Sequence, residues 1–380
     1  MDQRKSQRIG IDARFVGPQG TGLGKYTEKL INNLSLIDSK NQYFIFLRKN
    51  NWDYLKLGKN FKKILTDIPW YSLTEQLKMP QIFASQNLDL LHIPHFNVPI
   101  FYRDKFIVTI HDLIHHQFSE GAATTRNPLI FRIKRLAYRL VITRTIQKSK
   151  KIITPSESIR REILAKFKIE PSKVVVTYEA AEEEYFKNSQ FAIRNSQFPE
   201  REPFLIYVGN AYPHKNLERF LDALVILKNW KLEIGNWKLI LVCPRDVFWK
   251  RLQTQIESRN LKKQVKMLTY QNPNQLAKLF SKASVYVFPS LAEGFGIPGL
   301  NAMAADLPVV CSNIPTLKEV YSQAALFFDP NDPQDIAAKI KQVLTNEKIR
   351  SDLIRKGKDQ VKKYSWLNMA QETLRLYQSV

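Results

Sequence analysis

The chain has 380 residues, 44% of them hydrophobic, enough for two domains with their own cores and too apolar for a disordered protein. Its formal net charge of +23 asks for an anionic partner: nucleic acid, a membrane surface or a phosphorylated substrate. No run approaches about eighteen uninterrupted apolar residues, no signal-peptide-like segment precedes the first strand, and Cys243 and Cys311 sit in apolar strand-like runs. A cytoplasmic, non-spanning protein with buried reduced thiols is expected, without a disulfide or a metal site.

In chain order, the strand Arg8 to Asp12 leads into the glycine-rich stretch Gly17 to Gly24, then a helix with Leu23, Tyr26, Leu30 and Leu34 at helical spacing. Strand, glycine loop, helix opens many nucleotide-binding α/β folds, although G-T-G-L-G is not a dinucleotide fingerprint. Further strands are predicted at Tyr43 to Leu47, Phe61 to Leu65, Leu88 to Ile93 and Phe106 to Ile110. A helix from Ser72 is marked by the capping-box pair Ser72 and Glu75. His111 and Asp112 follow the fourth of these strands. A histidine there is either a satisfied structural residue or a group at the sheet edge where ligands bind.

Between Arg126 and Lys168 there are 13 Lys/Arg against only Glu157 and Glu162. Interleaved with apolar residues, they describe either an amphipathic helix with a solvated basic face or a segment resting on anionic lipid. Lys151 to Thr154 and Lys173 to Tyr178 read as the last strands of the first half, and the aperiodic stretch 186–202 as a linker.

A second alternating series follows, with strands at Phe204 to Val208, Lys238 to Cys243, Val265 to Leu268, Val285 to Phe288, Val309 to Ser312 and Ala325 to Phe328. After the first comes Gly209-Asn210-Ala211-Tyr212-Pro213-His214-Lys215-Asn216, in which Asn216 is a candidate helix cap. Lys215 is either solvated surface or a diphosphate ligand beside that helix. After Val285 to Phe288 comes P-S-L-A-E-G-F-G-I-P-G-L-N-A-M-A-A, Pro289 to Ala305. It holds one carboxylate, Glu293, two glycines that allow a tight turn, and Pro298 to start a helix. The glycine loop, His111, Lys215 and Glu293 all follow carboxyl ends of predicted parallel strands, the ligand-binding edge of open α/β sheets.

This last stretch resembles the donor-sugar motif of retaining glycosyltransferases of family 4. Y-V-G-N-A-Y-P-H-K-N, V-T-I-H-D-L, I-G-I-D-A-R-F with G-T-G-L-G-K-Y-T, and the terminal Y-S-W-L-N-M-A-Q-E-T-L-R-L-Y are similar to further family segments. The resemblance implies the GT-B fold: two Rossmann-like domains facing each other across a cleft, residues 1–185 with the returning C-terminal helix 366–380, and residues 203–365. It implies a nucleotide-sugar donor and a glycan or lipid-linked acceptor, with no cofactor or metal and no nucleic acid. His111, Lys215 and Glu293 would be catalytic. Gly20, Gly22, Gly209, Asn210, His214, Arg245, Gly294, Phe295, Gly296 and Asn301 would contact the nucleotide-sugar. The opening, the H-D-L segment and the basic region look most like bacterial mannosyltransferases of polysaccharide and O-antigen assembly, which favours mannose from GDP-mannose. Peripheral contact with the inner face of the cell membrane through 126–168 is expected.

The chain departs from the family pattern at three positions. Asn301 replaces the second motif glutamate, Asp306 stands where a helix-closing glycine is common, and Asn210 stands where many relatives have arginine. Asn301 leaves open a second reading, a catalytically impaired homologue that binds nucleotide-sugar or glycan, because an amide offers one acceptor where a carboxylate offers two.

Overall fold

The computed structural model describes residues 6–17, 21–117, 128–186, 204–230 and 237–380. Gly20 and residues 187–202 of the expected linker lie outside the described residues. The chain forms two compact units, Met1–Glu179 with Ser365–Val380 and Ala180–Tyr364.

The first unit carries a seven-stranded, wholly parallel sheet: β1 (Arg8–Asp12), β2 (Gln42–Leu47), β3 (Phe61–Leu65), β4 (Leu90–Ile93), β5 (Phe106–Thr109), β6 (Ile152–Thr154) and β7 (Val174–Val176), in the order β3-β2-β1-β4-β5-β6-β7. Strands β4, β5 and β6 are buried at every position, which explains their near-continuous apolar runs. The terminal helix Trp366–Gln378, capped by Ser365, packs on the helix Thr21–Ile37 and belongs to this unit. Its Tyr377 Oη lies 2.7 Å from Nδ1 of the fully buried His92 in β4.

The second unit carries six parallel strands: β8 (Phe204–Val208), β9 (Lys238–Val242), β10 (Val265–Leu268), β11 (Val285–Phe288), β12 (Val309–Ser312) and β13 (Ala325–Phe328), in the order β10-β9-β8-β11-β12-β13. In both sheets the direction of winding reverses once, between β1 and β4 and between β8 and β11. The crevice outside the carboxyl ends at such a switch point is where open α/β sheets take ligands.

Four local expectations are corrected. Ser72 Oγ accepts from the Glu75 N–H at 3.1 Å, but the Glu75 carboxylate does not close a capping box. It turns inward to Arg14 and accepts from the Tyr71 N–H and Asn97 Nδ2. Gly22 lies in the first turn of the helix Thr21–Ile37 rather than in the preceding loop. Asn216 precedes its helix in left-handed geometry (φ 58°), and its side chain donates to Pro330 O at 2.7 Å instead of capping. Pro298 occupies the second helical position, after Ile297.

Candidate active site

In the second unit, the loops after β8 and β11 meet at the switch point. Lys215 Nζ lies 2.6 Å from Glu293 Oε1, with side-chain exposures of 14% and 11%. The ammonium also sits 5.7 Å from the centre of the Phe288 ring. Beside this pair the Leu291 N–H donates to His214 O at 2.7 Å, so the two loops are joined through backbone and side chain alike. One partner supplies a fixed cation and the other a fixed carboxylate, both with an open edge.

Behind the Glu293 loop stands Tyr321, fully buried, whose hydroxyl donates to Gly296 O at 2.5 Å. Gly296 is left-handed (φ 102°) and precedes the helix Ile297–Ala304. A Cβ on Gly299 would lie 2.2 Å from Tyr321 Oη. Glycine at positions 296 and 299 therefore answers the tyrosine packed beneath, a constraint additional to the tight turn expected at Gly296. Phe295 is buried with its ring against Tyr364, and Gly294 is half-buried.

Asn301 is 4% exposed and works inside the fold. Its Oδ1 accepts from the Glu182 N–H at 2.9 Å, and its Nδ2 lies 3.4 Å from Glu182 Oε1. Asp306 adopts the left-handed geometry that glycine would favour (φ 59°) and pairs with Lys358 at 3.3 Å. Asn210 accepts the Tyr207 hydroxyl on its backbone oxygen at 2.8 Å, and the Gly209 N–H donates to Val242 O at 3.0 Å. His214 is half-buried. Arg245 is exposed on the loop after β9 and, among the described residues, pairs with neither Lys215 nor Glu293.

In the first unit, His111 follows β5 with Nδ1 3.1 Å from Glu179 Oε1 and Nε2 3.2 Å from Pro94 O. Its ring meets Tyr26 edge-on at 4.7 Å. Glu179, 5% exposed, was not singled out in the sequence, nor was a separate buried cluster just past β1. There Arg14, 1% exposed, binds Asp12 through Nε and Nη2 at 2.9 and 2.7 Å and Glu75 through Nη2 at 2.7 Å. Burial pushes the Glu75 carboxyl up, opposed by Arg14. Gly22 is exposed, and among the described residues a Cβ there would meet nothing within 4 Å. One on Gly24 would lie 2.5 Å from Phe15 O, so Gly24 is the glycine this turn requires.

Cys243 and Cys311 are free and buried; burial pushes the Cys243 thiol up to about 12 and the Cys311 thiol well above its ordinary range, so neither is a thiolate nucleophile near neutrality. Among the described residues no group of three or more His, Cys, Asp or Glu could hold a metal ion, and no helix is long and apolar enough to cross a membrane.

Two doubly wound parallel sheets, one with a lysine–carboxylate clasp at its switch point, define the two-domain α/β class of glycosyltransferases known as GT-B. The chain belongs to the group 1, family 4 glycosyltransferases: the profile described as "Glycosyl transferases group 1" matches residues 188–360 and that described as "Glycosyltransferase Family 4" matches 48–184. It is 27% identical over 374 residues to the O-antigen chain mannosyltransferase RfbU of Salmonella typhimurium, covering 95% of this chain and 97% of that one. It is 31% identical over 241 residues to O-antigen chain mannosyltransferase B of Escherichia coli, 61% of each chain. Among solved structures, it shares its fold with sucrose-phosphate synthase from Thermosynechococcus elongatus (TM-score 0.77, 20% identity, 98% of each chain). The same holds for Anabaena HepE in complex with UDP and glucose (TM-score 0.69, 15% identity, 99% of this chain and 100% of that one).

Proposed function

We propose that this glycosyltransferase moves a hexose, mannose from GDP-mannose, onto a glycan or lipid-linked acceptor, with retention of anomeric configuration and without a metal ion. The observation that carries the reading is the Lys215–Glu293 pair at the second unit's switch point. A fixed ammonium there can hold a diphosphate, while the carboxylate accepts from donor-sugar hydroxyls. Amides at Phe295 and Gly296, before the helix Ile297–Ala304, would serve the same ligand. Charge grows on the leaving diphosphate as the glycosidic bond breaks, so these groups favour the transition state over the ground state. The acceptor hydroxyl attacks the same face, and its proton passes to the leaving phosphate oxygen. His111, held by Glu179 and Pro94 O at the carboxyl edge of the first sheet, is taken as catalytic on the family resemblance. The choice of mannose draws on the names of the relatives RfbU and mannosyltransferase B.

The test is incubation with a panel of nucleotide-sugars in chelator, following nucleoside diphosphate release and the anomeric configuration of the product by NMR. GDP release from GDP-mannose with an α-linked product is expected. No turnover with any donor would sink the reading and favour the impaired homologue.

A peripheral contact with anionic membrane is proposed on the helix Pro128–Lys148. Its Ile133, Leu136 and Leu140 are 61%, 71% and 59% exposed, at helical spacing, beside exposed Arg132, Lys134 and Arg139. Flotation with phosphatidylglycerol vesicles should exceed that with phosphatidylcholine alone and weaken with salt. Equal recovery with both would count against it.

A further inference from the structure

The first unit has a switch point of its own, between β1 and β4, and the side chains at its carboxyl edge are aromatic. Phe15, just past β1, stacks on Trp70 with parallel rings 3.9 Å apart and lies 5.1 Å from His95, just past β4. His95 meets Phe96 at 4.1 Å and Tyr71 at 5.8 Å. Tyr71 is the unusual member, 62% exposed yet left-handed, with φ of 55°, which is unfavourable for any residue with a Cβ.

Both ends of Tyr71 are pinned. Its N–H donates to Glu75 Oε2 at 2.8 Å, and Glu75 is itself fully buried and held by Arg14 and Asn97. Its hydroxyl lies 3.2 Å from His95 Nε2. Because His95 Nδ1 accepts from the Asn97 N–H at 3.3 Å, the ring proton sits on Nε2 and donates to Tyr71 Oη. The tyrosine's own O–H then remains available as a donor. A ring this exposed contributes little to the core, so packing does not account for holding it in a strained conformation.

The chemistry selects the ligand. The cluster beneath sets Asp12 and Glu75 against Arg14, and Arg48, 5.5 Å over the Trp70 ring, is paired with Asp67, so the charged groups around the platform offer an anion no excess of positive charge. An aromatic face with one hydroxyl donor suits a neutral ring with an apolar C–H face and hydroxyls at its rim. We infer that Tyr71, backed by His95, is a platform on which a pyranose ring of the acceptor saccharide stacks. This rests on the proposed transfer to a glycan, and it adds a binding subsite in the first unit.

The experiment is saturation-transfer NMR of the full chain with the methyl α-glycosides of mannose, glucose, galactose, N-acetylglucosamine and rhamnose. At least one should bind the wild type, and Tyr71→Ala should weaken it about tenfold or more. Tyr71→Gly relieves the backbone strain, so it should melt at or above the wild-type temperature while losing glycoside binding equally. Tyr71→Phe should retain part of the affinity. No response from wild type to any glycoside, or a response that Tyr71→Gly leaves unchanged, overturns the platform. GDP and UDP titrations run in parallel: failure of both alongside Tyr71-dependent glycoside binding would sink the transferase reading and leave the platform standing.

Discussion

Lys215 Nζ and Glu293 Oε1, 2.6 Å apart, join two loops that lie 78 residues apart in the chain and leave neighbouring strands on either side of the second sheet's reversal. The pair is mostly shielded from water, so each charge depends on the other until a ligand arrives. A diphosphate would then share the ammonium, which has three donors to offer.

That sharing separates the two residues experimentally. Lys215→Ala should lower kcat/KM for the donor about 10²–10³-fold, as for loss of a group aimed at developing charge. Glu293→Gln should also slow transfer, but it frees Lys215, so free nucleoside diphosphate should bind at least as tightly as to wild type. Calorimetric titration with GDP and UDP checks this. Equal loss of nucleotide affinity in both variants would show that the carboxylate does not face the sugar.

Asn301 yields the opposite of a simple repair. Replacing it with glutamate removes the amide donor beside Glu182 Oε1 and sets a buried carboxylate against the half-buried one of Glu182. Asn301→Glu should therefore lose about 2–3 kcal/mol of stability, read from denaturant melts, and should not raise transfer. Adding Glu182→Gln should restore most of the loss. A stable Asn301→Glu protein with much faster transfer would instead mark the natural chain as impaired.

Glycines flanking the two candidate loops differ in what they tolerate. Gly299→Ala drives a methyl group into Tyr321 Oη and should cost about 1–3 kcal/mol or more, partly recovered by Tyr321→Phe. Gly22→Ala meets no described residue inside its helix and should be neutral or stabilising by up to about 1 kcal/mol. Thermal melts of the set check both. Reduced nucleotide affinity in a fully stable Gly22→Ala protein would assign that glycine to the ligand.

Much of the fold was legible because buried parallel strands appear as short apolar runs closed by turn residues, as in β4, β5, β11 and β12, whereas the edge strands β3 and β10 carry lysines. Lys215, Glu293 and His111 were legible because each lies in the loop that follows such a run. Their supports were not. His111 depends on Glu179, 68 residues away, Asn301 on Glu182, 119 away, and Gly296 on Tyr321, 25 away. No periodicity links such positions; only the packed fold brings them together. The Ser72–Glu75 pair misled for the same reason, since a buried guanidinium from another strand end outcompetes a local cap for the carboxylate.

His92 offers a pH signature of that hidden packing. It is fully buried between Thr109 Oγ1 at 2.8 Å and Tyr377 Oη at 2.7 Å. Burial, reinforced by His111, pushes its pKa down to about 3 from an ordinary 6.5. Below pH 6.5 the unfolded chain therefore binds a proton that the folded chain refuses, so stability falls as pH drops and levels off only near pH 3. Between pH 8 and pH 5 this single group should remove about 2 kcal/mol. His92→Gln keeps polar atoms for the two hydroxyls and cannot titrate. Urea melts across this range should show a shallower pH slope for the variant, and an identical slope would mean that His92 is protonated in the folded protein.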